Sequence, residues 1–106
     1  SNTLTFILDL CKDDEVFDEK TKEYIVHTSN LYPKFTSYCV ANGIKFTPTK
    51  KNWKSELSSF GIKEHKYKFR ITDAFGHIHY KVGYRLIKDE IETLFKSYYK
   101  NPEYTF

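Results

Sequence analysis

Lys50, Lys51 and Lys54, with Ser55 and Ser58 close behind, place ammonium groups and small hydroxyls within one short stretch. That chemistry suits phosphate: lysine meets it as a point charge, and serine adds hydrogen bonds without bulk. A second set, Lys66, Lys68, Arg70, Lys81 and Arg85, alternates with aromatic and aliphatic residues, and His79 falls among them. It can clamp a nucleic-acid backbone, and lysines on a two-stranded ribbon also keep its edges from pairing. Asn52 has the amide chemistry of an adenine reader but points sideways on a helical wheel. His65, His77 and His79 are three imidazoles in one region, yet His65 has the opposite strand parity and no cysteine lies nearby. Zinc sites show tighter ligand spacing, so no metal is expected. There is no nucleophile elbow, no HExxH and no phosphate-binding glycine loop followed by Lys-Ser or Lys-Thr. The carboxylates sit in solvated runs instead of as an isolated pair in apolar surroundings. Neither catalysis nor a cofactor is expected of this chain.

The phosphate reading draws on the charge distribution. Lys45 to Lys88 holds eleven Lys or Arg against three acids, a net of +8. The remainder carries six basic and eleven acidic residues, a net of −5, so the overall +3 combines a basic part with an acidic one. Segregated positive charge is the electrostatic footprint of a phosphate-backbone partner, and the alternative is a solvated lysine face. The 106 residues suffice for a single core, which nine Tyr, nine Phe and one Trp can fill. Cys11 and Cys39 fall on apolar helical positions and read as buried free thiols, which points to a reducing, cytoplasmic setting. No apolar run is long enough for a membrane span. With Ser1-Asn2 at the start and no methionine, residues 1–2 read as a remnant of tag cleavage. Residues 3–106 then form one domain cut from a larger protein.

The elements that must position these residues alternate in type. Leu4 to about Lys12 is predicted as a helix through Leu4, Ile7, Leu8 and Cys11, leaving Phe6 and Leu10 on an uncovered side. Asp13-Asp14-Glu15 ends it, and Glu23 to His27 is a short strand. Thr28 or Ser29 caps a second helix to about Asn42, with Pro33 in its first turn and Gly43 closing it. Leu31, Phe35, Tyr38, Cys39 and Asn42 share a face. A third helix is expected with Thr47 as N-cap, Pro48 at its first position and Gly61 just beyond its end. Its core face is Trp53, Leu57 and Phe60. From Gly61 the period becomes two, and Asp73 to Gly76 turns a hairpin. His65, Tyr67, Phe69 and Ile71 with Ile78, Tyr80, Val82, Tyr84 and Leu86 would make its apolar face. The cationic residues would make the other. A last helix runs from Lys88 to about Tyr99, on Ile91, Leu94, Phe95 and Tyr98. Tyr98, Tyr99, Tyr104 and Phe106 exceed what one helix face needs.

This order implies an α+β winged helix-turn-helix: a three-helix core, a β-hairpin wing and an extra C-terminal helix. The stretch NLYPKFTSYCVANGIKFTPTKKNWKSELSSFGI from Asn30 resembles the C-terminal winged-helix domain of viral, satellite-phage and plasmid primase–helicases of superfamily 3. The matching positions are Leu31, Tyr32, Phe35, Tyr38, Cys39, Asn42, Gly43, Trp53, Leu57 and Gly61, and FILDLC at Phe6 to Cys11 is similar to that family's opening helix. The match covers about three quarters of the chain and departs at Phe17 to Lys22, where the connector is longer and more charged. The resemblance implies a replicative ATPase as parent, with this segment as its DNA-binding tail and duplex or forked DNA as its partner. Two other classes remain open. One is a protein-interaction winged helix using the acidic face from Asp9 to Glu23 with Phe6, Leu10 and Tyr104. The other is a small transcription regulator, which would need base-reading residues that the lysine- and serine-rich third helix lacks.

Overall fold

A computed structural model describes residues 1–13 and 15–100. Asp14, Tyr104 and Phe106 lie outside the described residues. The described residues form an α+β fold with four helices and two two-stranded antiparallel sheets. In chain order these are α1 (Asn2–Lys12), β1 (Glu23–His27), α2 (Thr28–Ala41), α3 (Lys50–Ser59), β2 (Phe69–Thr72), β3 (Ile78–Lys81), β4 (Gly83–Ile87) and α4 (Lys88–Tyr98). One sheet pairs β1 with β4, the other β2 with β3. Two units share the chain, residues 25–85 and the flanking residues 1–24 with those from 86 onward.

In the flanking unit, α1 starts at Asn2, two residues earlier than expected, with the Thr5 N–H and hydroxyl both donating to the Ser1 carbonyl. Phe6 and Leu10 are buried along with Leu4, Ile7 and Cys11. The apolar stripe of α1 is therefore wider than one side, and the uncovered surface expected at Phe6 and Leu10 does not exist. Phe17 is buried and tilts against Tyr24 at 5.8 Å between ring centres. Ile91 and Phe95 are the buried residues of α4, whereas Tyr98 and Tyr99 are about half exposed. Both cysteines are buried and unbridged. Burial pushes the Cys11 thiol up to about 12, with Lys88 pulling the other way, so it stays protonated and unreactive at neutral pH.

The 25–85 unit is built around Trp53. Its ring stacks on Phe35 of α2 at 4.7 Å and 14°, and Tyr32 tilts against it at 5.7 Å. Both partners come from α2 at a spacing of three, so one face of that helix receives the indole. Three expectations about helix ends are corrected here. Thr49, not Thr47, caps α3, its hydroxyl accepting the Asn52 N–H at 3.2 Å. Pro48 precedes that cap and stands outside the helix, its carbonyl accepting the Tyr32 hydroxyl at 2.6 Å. Thr28 is the first residue of α2 instead of its cap: its N–H donates to Val82 and its hydroxyl to Glu64. Pro33 consequently lies beyond the first turn, inside α2. Phe60, expected in the core, caps the end of α3 and is only partly buried, and Ile62 is buried next to it.

The hairpin departs most from expectation. Its pairs are Phe69 with Lys81, Arg70 with Tyr80, Ile71 with His79 and Thr72 with Ile78. Opposed residues share a sheet face, so Arg70, Tyr80, Thr72 and Ile78 lie together and Phe69, Ile71, His79 and Lys81 lie on the other side. No purely apolar face exists, and Ile78, Tyr80 and Val82 are exposed. The cause is one residue in the turn. Asp73 Oδ1 accepts both the Phe75 and the His77 N–H, and the Asp73 N–H donates to the His77 carbonyl, so five residues (73–77) connect the strands. A four-residue turn ending at Gly76 would have kept the expected parity. The fifth residue slips the register by one and reverses which side chains meet. His65, expected to point inward, is exposed, its ring 4.7 Å from Phe69.

The sequence from His77 to Leu86, expected as one alternating strand, is broken at Val82. The Val82 carbonyl accepts from Thr28 and the Gly83 carbonyl from His65, which pins the root of the hairpin. Gly83 is needed there because a Cβ would run into the Val26 carbonyl oxygen and lie 2.9 Å from His27 Cα. Both obstacles are backbone and cannot rotate away. Gly83→Ala is expected to lower stability by about 1–3 kcal/mol, as overpacking does. An urea midpoint unchanged from wild type would refute this.

Candidate nucleic-acid interface

Trp53 and Leu57 are fully buried, which turns the opposite face of α3 outward. At 100° per residue Lys51, Ser55 and Ser58 lie on that face and Lys54 on its flank, while Lys50, three before Trp53, is exposed because it is the first residue of the helix. All five line a depression of about 650 Å³ with Lys63, Glu64 and Tyr84. A second depression, of about 300 Å³, is lined by Thr28, Ser29, Lys50, Lys54, Glu64, Lys68, Tyr80, Lys81 and Val82. Lys50, Lys54 and Glu64 belong to both and form the divide between them. Among the described residues, six lysines, at 50, 51, 54, 63, 68 and 81, thus border two adjoining hollows that contain a single carboxylate.

That carboxylate is held from two sides. Lys54 Nζ lies 3.2 Å from Glu64 Oε1, and the Thr28 hydroxyl donates to Oε2. The pair is partly exposed, so its direct contribution to stability is small. Its effect is to orient: Lys54 is held toward Glu64 instead of ranging through solvent. Tyr84 is almost wholly buried yet lines the larger depression. Burial, and secondarily the Glu64 charge, push its phenol up to about 12. It therefore keeps its proton and remains a hydrogen-bond donor throughout the neutral range. The Ser55 hydroxyl donates back to the Lys51 carbonyl at 3.3 Å, leaving its oxygen as an acceptor.

The structure brings together seven of the eleven residues expected from the sequence: Lys50, Lys51, Lys54, Ser55, Ser58, Lys68 and Lys81. Lys66, Arg70, His79 and Arg85 line neither depression. Lys66 Nζ sits 5.7 Å over the Tyr67 ring. Arg70 faces solvent opposite Tyr80, and Arg85 is exposed on β4. His79 Nε2 lies 2.8 Å from Asp73 Oδ2, so it braces the hairpin turn. That hydrogen bond, with the His77 and Phe75 N–H groups, holds the Asp73 carboxyl below its ordinary range against a smaller desolvation effect. His77 is 3.7 Å from the same oxygen. Among the described residues no group of three or more His, Cys, Asp or Glu is placed to hold a metal ion. No described helix is long and apolar enough to cross a membrane.

Lys63, Glu64, Tyr80 and Tyr84 are members that sequence reasoning missed. Lys63 belongs to the basic stretch and follows the end of α3 closely, so its charge was the available signal. Glu64 carries no such signal, since a lone acid in a basic run reads as solvated. No family model, curated protein or solved structure matches the chain.

Proposed function

We propose that this chain is a DNA-binding winged helix-turn-helix, the accessory domain of a viral or mobile-element primase–helicase. The carrying observation is the pair of adjoining hollows bordered by six lysines from α3, the segment after it and the β2–β3 hairpin. In this reading α2 and α3 are the helix-turn-helix pair, joined through Trp53, Phe35 and Tyr32. The exposed face of α3 meets the groove and the hairpin is the wing on the flanking backbone. The helicase parentage rests on the resemblance from Asn30 to Ile62 and supplies the setting, while the lysines supply the affinity. Lysine and serine position a backbone without reading bases, so binding is largely indifferent to sequence.

The physical test is salt. If four of the six lysines meet phosphates, affinity for a duplex oligonucleotide falls by about 10²-fold between 50 and 200 mM salt, through counterion release. Fluorescence anisotropy at the two concentrations measures this. A dissociation constant independent of salt, or no binding at low salt, would overturn the proposal.

A further inference from the structure

The one-residue slip in the hairpin leaves an aromatic ring where a buried side chain was expected. Tyr80 is 61% exposed, and its neighbours on that sheet face are Arg70 directly opposite and the exposed Ile78. It also lines the smaller depression, beside Lys50, Lys54, Lys68 and Lys81. A solvent-facing ring in a cationic hollow combines the two parts that recognise unpaired nucleotides: a stacking platform and a charged track for the backbone. Duplex DNA uses only the second, because its bases are stacked on each other.

Resting on the nucleic-acid reading above, we propose that Tyr80 stacks on an unpaired base of single-stranded DNA whose flanking phosphates lie on Lys68 and Lys81. The occupant is set by charge complementarity. The hollow has four ammonium groups against the Glu64 carboxylate, which already holds Lys54. An acidic peptide would satisfy the charges, but the exposed ring beside them would have no counterpart of its own. At about 300 Å³ the hollow is at the lower end of small-ligand sites, a size for one nucleotide and not for a folded surface. The substrate class this implies is a single strand, or the unpaired arm of a fork.

The test compares wild type, Tyr80→Ala and Tyr80→Phe on a labelled oligo-dT strand and a duplex of equal length. Tyr80→Ala is expected to weaken single-strand binding about tenfold, from the usual loss of one stacked base. Duplex binding should stay within about twofold, and Tyr80→Phe should restore the single-strand affinity. Equal single-strand affinity for wild type and Tyr80→Ala overturns the stacking assignment while leaving the lysine interface standing. A parallel loss on both substrates also overturns it, since the ring would then be shaping the site generally. Failure of every protein to bind either substrate at low salt sinks the interface itself and the stacking with it.

Discussion

Glutamate at positions 50, 51 and 54 together is expected to raise the dissociation constant for duplex DNA by more than about 100-fold at low salt. Each lysine that meets a phosphate contributes one unit of counterion release, and reversing its sign adds repulsion to that loss. Lys50 and Lys54 border both hollows, so the change reaches the hairpin side as well as the α3 side. The fold should tolerate it. Lys50 and Lys51 occupy the first turn of α3, where the helix dipole favours negative side chains. Lys54→Glu is less benign, because it sets a carboxylate against Glu64 in place of the 3.2 Å pair. A Lys54→Gln companion separates that local repulsion from the lost contact. Anisotropy checks affinity and circular dichroism checks the fold. Retained binding by a folded triple variant would remove α3 from the interface.

Trp53→Ala should cost about 3–5 kcal/mol, the usual loss for a large aromatic deleted from a core. The residue is fully buried, and truncation removes the stack on Phe35 and the tilted contact with Tyr32 together. Tyr32 in turn bonds to the Pro48 carbonyl, which leads into the α3 cap at Thr49. One deletion therefore loosens the helix that carries Lys50, Lys51 and Lys54. By the usual relation for domains of this size, about 4–8 °C per kcal/mol, the thermal midpoint falls by about 12–40 °C. A midpoint within about 5 °C of wild type would show that α3 is held mainly by something else.

Local chemistry made much of this legible in advance. The apolar spacing of Trp53 and Leu57 identifies the outward face of α3, with Lys51, Ser55 and Ser58 on it and Lys54 on its flank. β-Branched and aromatic residues bound β1 at Glu23 and His27. What could not be read turned on contacts between distant residues. Two threonines flank Pro48 and either can cap a helix; the choice of Thr49 goes with the Tyr32 hydroxyl taking the Pro48 carbonyl, sixteen residues away. Asp73 and Gly76 mark a turn but do not say whether it holds four residues or five. Asp73 settles that by accepting from His77 as well as Phe75, while His79 binds its other oxygen. The faces of the hairpin depend on that single count, so an error of one residue misplaced Tyr80 and Ile78 together. Glu64 was invisible as a site residue because its meaning comes from Thr28 and Lys54, on two different helices.

The break at Val82 separates two jobs that a continuous strand would have tied together. Upstream of it, β3 answers only to β2; downstream, Gly83 must keep its place against the Val26 carbonyl. Residues added or removed in matched pairs between Phe69 and Lys81 would change the reach of the hairpin without moving the partner of Gly83. Related chains can therefore be expected to differ in hairpin length while holding a glycine at that root, and grafts of longer hairpins should be accepted between Lys68 and Val82.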